Sequence, residues 1–419
     1  MSRKALCFAL FLATLPCPSA LGQPGPARLS DLPVTAQSRI AESLSQDMFW
    51  LQLAELTASD GTYVDLLGFS VAIDGNTVVV GAPGSTVGSN QTQGAAYVFV
   101  KPKSGWENMT EVAKLTASDG NPDDQFGGSV AISGKTVLVG NLDRGEAYVF
   151  VRPPHGWKTG TETARLGCGQ FVAINGDTTV CASGSSGAVY VRPKTGWKST
   201  YNYDAVLVTT DGNKNFVSSV STDGDVVVIG AADLNSKSDV AYLYVKPKGG
   251  WRITSNTKRI IAQKAILTAS DSHSGDVFGL SVSVNGNTVA VGAPGFSAAY
   301  LFVKPVGGWT NMTETAKLTA NTTDYDSSLG WAVALRGNIL LAGNPSGTIA
   351  NNHEGEAYVF IKPAGGWKTT STFDADLTPS DTEWFDQFGG AVAISGQTIL
   401  VGATHFQVMD PGAAYVFGH

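Results

Sequence analysis

The sequence predicts an all-β fold: a seven-bladed β-propeller of four-stranded antiparallel blades, its ring closed by an N-terminal strand that pairs in the last blade. Three observations predict it. Three strand-like segments each recur seven times, at the long period that marks a repeat architecture. A fourth segment recurs only six times behind a Gly-Trp pair, and its missing copy, "LAELTASD" from Leu53 to Asp60, precedes the first unit. The last unit stops at "GAAYVFGH", Gly412–His419, just where that fourth segment would follow. The cut between the third and fourth segments means the first strand completes the last blade, around residues 388–417. A ring leaves only short, protected edges, whereas an open array would expose two.

The segments justify themselves in order. The first type is "FGGSVAI" at Phe126–Ile132, with counterparts starting at Leu67, Cys168, Phe216, Phe278, Leu329 and Phe388. The second is "TVLVG" at Thr136, echoed by "TVVVGAPG" at Thr77 and "TVAVGAPG" at Thr288. The third is "AYVFV", near Ala96, Ala147, Ala188, Ala241, Ala299, Ala357 and Ala414. All are short, rich in Val, Ile, Tyr and Phe, and bounded by Gly, Asn, Asp or Pro, as strands are. Turns such as "DGN", "SGK" and "NGD" join the first to the second, and glycine there admits the positive φ of a tight hairpin.

Composition narrows the function classes. Of 419 residues 49 are glycine and only 15% are charged, which suits many turns between short strands. Residues 1–22 read as a signal peptide: Arg3 and Lys4, an apolar run from Ala5 to Leu15, and small residues at Ala20-Leu21-Gly22. Residues 23–49 read as a linker and 50–419 as the propeller. The apolar run is too short to span a bilayer and no later one is longer, so a secreted protein, extracellular or periplasmic, is expected. Removing the signal takes two basic residues and moves the net charge from −7 to −9. An acidic chain of this kind excludes nucleic acid as partner.

"FGGSVAI", "VVVGAPG" and "GAAYVFVKP" resemble the FG-GAP repeats of the seven-bladed propeller of integrin alpha subunits and of related secreted bacterial proteins. The resemblance covers residues 50–419. It implies a binding or adhesion role and also calcium, which integrin propellers hold in Asp-rich loops between the first two strands. This sequence departs there, because turns such as Asp74-Gly75-Asn76 are too short to wrap an ion that takes six to eight oxygens. Oxygen side chains gather instead between the fourth and first strands. Asp119, Asn121 and Asp123 give one candidate Ca²⁺ set and Asp211, Asn213 and Asn215 another, against the competing reading of Asx turns bonded to their own backbone.

Loops from strand four to one and from strand two to three share a face, which collects these acids and the longest insertions. The opposite face collects Lys101, Arg152, Arg192, Lys246, Lys304 and Lys362. The acidic, loop-rich face is therefore the expected binding face. Six tryptophans recur behind glycine and are assigned to packing between blades, whereas Trp384 and Trp331 fall at unit-specific positions and are candidate ligand contacts. Cys168 and Cys181 stand where Phe126 and Val139 stand in the second unit, and are expected to form a disulfide. Asn90, Asn108, Asn311 and Asn321 head glycosylation sequons, relevant if the source is eukaryotic.

No catalytic residue is assigned. The five histidines form no metal spacing, and "GSVAISGKT" at Gly128–Thr136 has the wrong spacing and context for a phosphate loop. The expectation is a monomeric, non-enzymatic module for a protein or glycan ligand. The alternative is a polysaccharide-cleaving or hydrolytic propeller, with His353, Asp324 and Trp331 converging at the channel mouth.

Overall fold

The computed structural model describes residues 50–184, 186–212, 218–232, 239–252, 259–321, 327–347, 354–381, 386–404 and 410–419. The expected signal peptide and linker, Trp384, Asn213, Asn215, His353 and Asp324 lie outside these residues. No helix among the described residues is long and apolar enough to cross a membrane.

Seven sheets form the ring, one per repeat. Blade 1 runs outward through Ser70–Asp74, Thr77–Ala82, Ala95–Val100 and Ala113–Thr116. The last blade uses Ala391–Ser395, Thr398–Ala403 and Ala413–Gly418, and its fourth strand is Leu51–Thr57. That strand lies antiparallel to Ala413–Gly418, with Leu51 opposite Gly418 and Leu56 opposite Ala414. The predicted closure is thus present.

The recurring Lys/Arg-Pro-x-x-Gly-Trp has a local cause. In blade 1 the Lys101 N–H donates to the Asn76 carbonyl at 2.8 Å, closing the hairpin between strands one and two. Pro102 then opens a turn whose carbonyl accepts from the Gly105 N–H at 3.2 Å, with Gly105 at φ +113°. The same pair of bonds recurs with Arg152 and Gly156, Arg192 and Gly196, Lys246 and Gly250, Lys304 and Gly308, and Lys362 and Gly366.

The core lies between blades. Seven buried clusters each join the residues of two neighbouring sheets, since strands two and three are covered on both faces. The six Gly-Trp tryptophans are all buried, one per cluster. Trp50 fills the seventh place, against Leu377 of blade 6 and Phe417 of blade 7, and packs edge-on against the His419 ring at 4.6 Å.

The glycines of "FG" and "VG" serve one contact. The second-strand Gly292 faces Gly330 of the next blade so closely that a Cβ would overlap the Gly330 carbonyl oxygen. Gly330 itself holds φ +93°. Gly81, Gly230, Gly343 and Gly402 meet Gly127, Gly279, Gly389 and Gly68 in the same way.

Four of the seven blades carry a fifth strand. Met109–Thr110 of blade 1 pairs in parallel with Leu56–Thr57 of blade 7, and similar strands extend three other sheets. Just beyond, Glu111 accepts from the N–H and Oγ–H of Ser59 at 2.9 and 2.7 Å. Glu162 with Ser118, Glu314 with Ser270, Gln263 with Thr210 and Gln52 with Ser380 repeat this latch. Each of these residues stands two before the first alanine of its fourth strand.

Blade 3 is built differently. Cys168 and Cys181 form the expected disulfide, with Cα atoms 5.8 Å apart. Cys168 is not on a strand as expected: it precedes the first strand, Phe171–Asn175. In blade 2 the rings of Phe126 and Tyr148 fill this space, 5.2 Å apart. In blade 3 Ala188 takes the tyrosine's place opposite Cys181, so the disulfide occupies the volume two rings would fill. Replacing both cysteines by serine is expected to lower stability by about 3 kcal/mol, read as an earlier urea midpoint with unchanged slope.

Candidate functional site

The seven first strands surround a channel of about 250 Å³. Its wall is Ser70, Ser129, Ser219, Ser281 and the valines that follow each of them, with Phe171 and Val172 in blade 3 and Ala332 and Ala391 in blades 6 and 7. Several hydroxyls are turned to the neighbouring blade: Ser70 donates to the Gly127 carbonyl at 2.7 Å and Ser281 to that of Gly330 at 2.9 Å. The two large side chains that line this channel at the residue after "FG" or "LG" are Phe69 and Trp331, which stand on either side of blade 7 and its Gly390. They are 42% and 46% exposed, and Tyr63 and Val64, in the loop entering blade 1 on the same face, are exposed too. Trp331 was singled out in the sequence; Phe69 was hidden in "LGFSVAI", where it reads as a strand residue. Trp384 lies outside the described residues.

The acidic loops are structural. In several of the loops the first Asp accepts a hydrogen bond from a third-strand tyrosine: Tyr97 to Asp60 at 2.9 Å, Tyr148 to Asp119 at 3.1 Å, Tyr242 to Asp211 at 2.5 Å and Tyr300 to Asp271 at 2.9 Å. Five residues on from Asp60, Asp119 and Asp271, a buried Asp closes the loop. Asp65 accepts from the Thr62 N–H and Oγ–H, and Asp124 from the Asn121 N–H at 2.8 Å. Cations complete the set, with Lys114 on Asp60 at 2.7 Å, Lys317 on Asp271 at 2.6 Å, and Arg165 and Arg144 on Asp119. Among the described residues of the expected acidic face, Asp60, Asp119 and Asp271 are therefore neutralised within their own loops.

These bonds decide the fit of a calcium ion. Asp119 spends its carboxylate on two guanidinium groups and a phenol, and Asn121 turns its amide to the Asp119 carbonyl at 3.3 Å. Asp123 is held at φ +65° by its own N–H bond to the Gln91 carbonyl. Asp119, Asn121 and Asp123 do not fit Ca²⁺, which needs six or more converging oxygens free of competing cations. Among the described residues no group of three or more His, Cys, Asp or Glu is placed to hold a metal.

The same bonds set a pH response. Burial alone would raise the Asp60 carboxyl, but hydrogen bonds from Lys114 and Tyr97 and the lysine's charge hold it below its usual 3.8; Lys317 and Tyr300 do the same for Asp271. Burial pushes the Tyr97 phenol up to about 12. Because both carboxyls are lowered on folding, their contribution is complete above about pH 4 and is lost as pH falls through the lowered values. The Asp60→Asn, Asp271→Asn double variant is expected to melt below the parent at pH 7, and the gap should narrow as pH falls below about 4. Melting curves across that range check it.

The model of the FG-GAP repeat matches residues 50–99, 109–150, 261–302, 312–360 and 372–417, more than half of the sequence. The chain belongs to the FG-GAP repeat family. No curated protein matches it. As an FG-GAP propeller it shares the type of ring that integrin alpha subunits carry, a type generally associated with ligand binding and, in integrins, with Ca²⁺. The stretch 151–260, outside the match, holds most of blades 3 and 4 of this FG-GAP chain. There Ala182 replaces the second-strand glycine and the disulfide replaces the ring pair.

The sequons of the FG-GAP chain differ in what glycosylation would disturb. Asn108 and Asn311 are exposed and use only Oδ1, accepting at 2.9 Å from the Glu55 and Ile266 N–H groups. Asn90 donates both amide protons, to Gln93 and to the Gly120 carbonyl. Asn321 is exposed. On the opposite face, Arg192 and Lys246 pair with Asp177 and Asp225 of their own hairpin turns.

Proposed function

We propose that this FG-GAP propeller is a secreted binding module whose ligand is a protein, docked on the loop-bearing face over the channel mouth. The observation that carries this reading is the exposure of Phe69 and Trp331 at one mouth, flanking blade 7, with Tyr63 and Val64 exposed in the loop that enters blade 1. Large apolar side chains gathered at a concave point of a rigid scaffold mark recognition surfaces. The mouth is a single asymmetric feature, which suits a protein better than a glycan read by repeated pockets. The described channel wall offers serine hydroxyls, apolar side chains including Phe171, and backbone, with neither carboxylate nor imidazole, and so favours binding over hydrolysis.

The test is a binding screen of the secreted chain against extracellular proteins and a glycan array of its host, with calcium and with chelator. A protein hit that weakens about tenfold or more in Trp331→Ala, with the melting temperature unchanged, supports the reading. A hit indifferent to Trp331 and Phe69 moves the site elsewhere. Selective glycan binding, or hydrolysis of a polysaccharide, replaces the reading altogether.

A further inference from the structure

Blades 3 and 6 share a cleft on the face opposite the channel mouth's loops. Their connections read "WKSTYNYD" at Trp197–Asp204 and "WKTTSTFD" at Trp367–Asp374. In blades 1, 2 and 5 the fourth strand's first alanine follows the tryptophan by seven residues; here it follows by eight. The place of the latching Glu or Gln is taken by aromatics, Tyr203 against Tyr190 and Phe373 against Tyr358. The extra residue and the missing latch leave a cavity of about 190 Å³ in blade 3 and about 340 Å³ in blade 6.

At the foot of each cleft an aspartate caps the end of the third strand. Asp204 Oδ2 accepts from the Val191 N–H at 2.7 Å, and Asp374 Oδ2 from the Ile361 N–H at 2.6 Å. In blade 3 the cleft already has an occupant. Arg252 reaches over from blade 4, its Nε donating to Asp204 Oδ1 at 2.7 Å and its terminal nitrogen to the Val191 carbonyl. In blade 6 the same acceptors are Asp374 and Ile361. The residue after the tryptophan of the next blade is Leu51 there, not arginine, and among the described residues no cation pairs with Asp374. Lys368 lines this cleft just as Lys198 lines the filled one, so a neighbouring lysine does not bar a guanidinium.

We propose that the blade 6 cleft, between Trp367, Thr370 and Asp374, binds an arginine side chain of a partner protein, in the way that blade 3 binds its own Arg252. A guanidinium matches the acceptors, since its planar fork bonds a carboxylate and a carbonyl together while its face lies along aromatic surface. The site is separate from the channel mouth and stands or falls independently of it.

Arginine amide and its uncharged isostere citrulline amide would be titrated into the full secreted chain, following the indole N–H resonance of Trp367 assigned through Trp367→Phe. Arginine amide is expected to shift that resonance saturably and citrulline amide is not. Asp374→Asn, an exposed change, should weaken the binding about tenfold or more. Arg252→Ala should open a second site, so that the Trp197 resonance responds too. No saturable shift, an equal response to citrulline, or binding that survives Asp374→Asn overturns the proposal.

Discussion

Gly292→Ala is expected to cost about 4 kcal/mol or more, enough to leave little folded protein at 37 °C. The added methyl would overlap the Gly330 carbonyl oxygen and, on its other side, Ser281 Oγ. Neither can retreat cheaply. Gly330 is fixed at φ +93° and its N–H donates to the Gly343 carbonyl at 3.0 Å, while Ser281 is bonded to Gly330 itself. The proper control is Gly286→Ala in the adjoining hairpin turn, at φ +57° with nothing within 4 Å of its Cβ. That change carries only left-handed backbone strain, about 1–2 kcal/mol. Urea unfolding of the pair separates the two costs. Equal midpoints would show that blades do not depend on this approach.

Deleting residues 50–59 is the second large effect. It removes Trp50, Ala54 and Leu56 from two interblade clusters and strips the partner from Ala413–Gly418. An unpaired third strand carrying "AAYVF" is an aggregation template. The truncated chain should form soluble oligomers or precipitate, and a synthetic peptide of residues 50–60 added during refolding should restore monomer. Light scattering reads both outcomes. A truncated chain that stays monomeric and melts like the parent would mean that the ring holds without its clasp.

What the sequence made legible was local or periodic. The hairpins, the Lys/Arg-Pro turns and the sevenfold count follow from residues adjacent in the chain, and the closure follows from the count. What it concealed depends on partners one blade away. Trp50 stands four residues before Ala54, whereas the other tryptophans stand seven or more before theirs, so it did not read as the seventh copy. Asp119, Asn121 and Asp123 have the spacing of an ion loop. Their role is set by Tyr148, 29 residues on, and by Arg165, 46 residues on. The disulfide was legible because two substitutions coincided in one unit. The third, Ala188, shows why the bridge fits, and it emerges only from strand register.

The clasp has a topological consequence. Leu51 lies opposite Gly418, and Trp50 rests on the His419 ring, so the two ends of the propeller meet inside one blade. A ring whose ends meet has no privileged starting point. Fusing residue 419 to residue 50 through a short glycine linker, and reopening the chain in the turn between Pro363 and Gly366, would preserve every strand pairing while moving the seam to blade 6. Such a permuted ring would carry its termini next to the Trp367 cleft, and its stability would report how evenly the seven blades share the load.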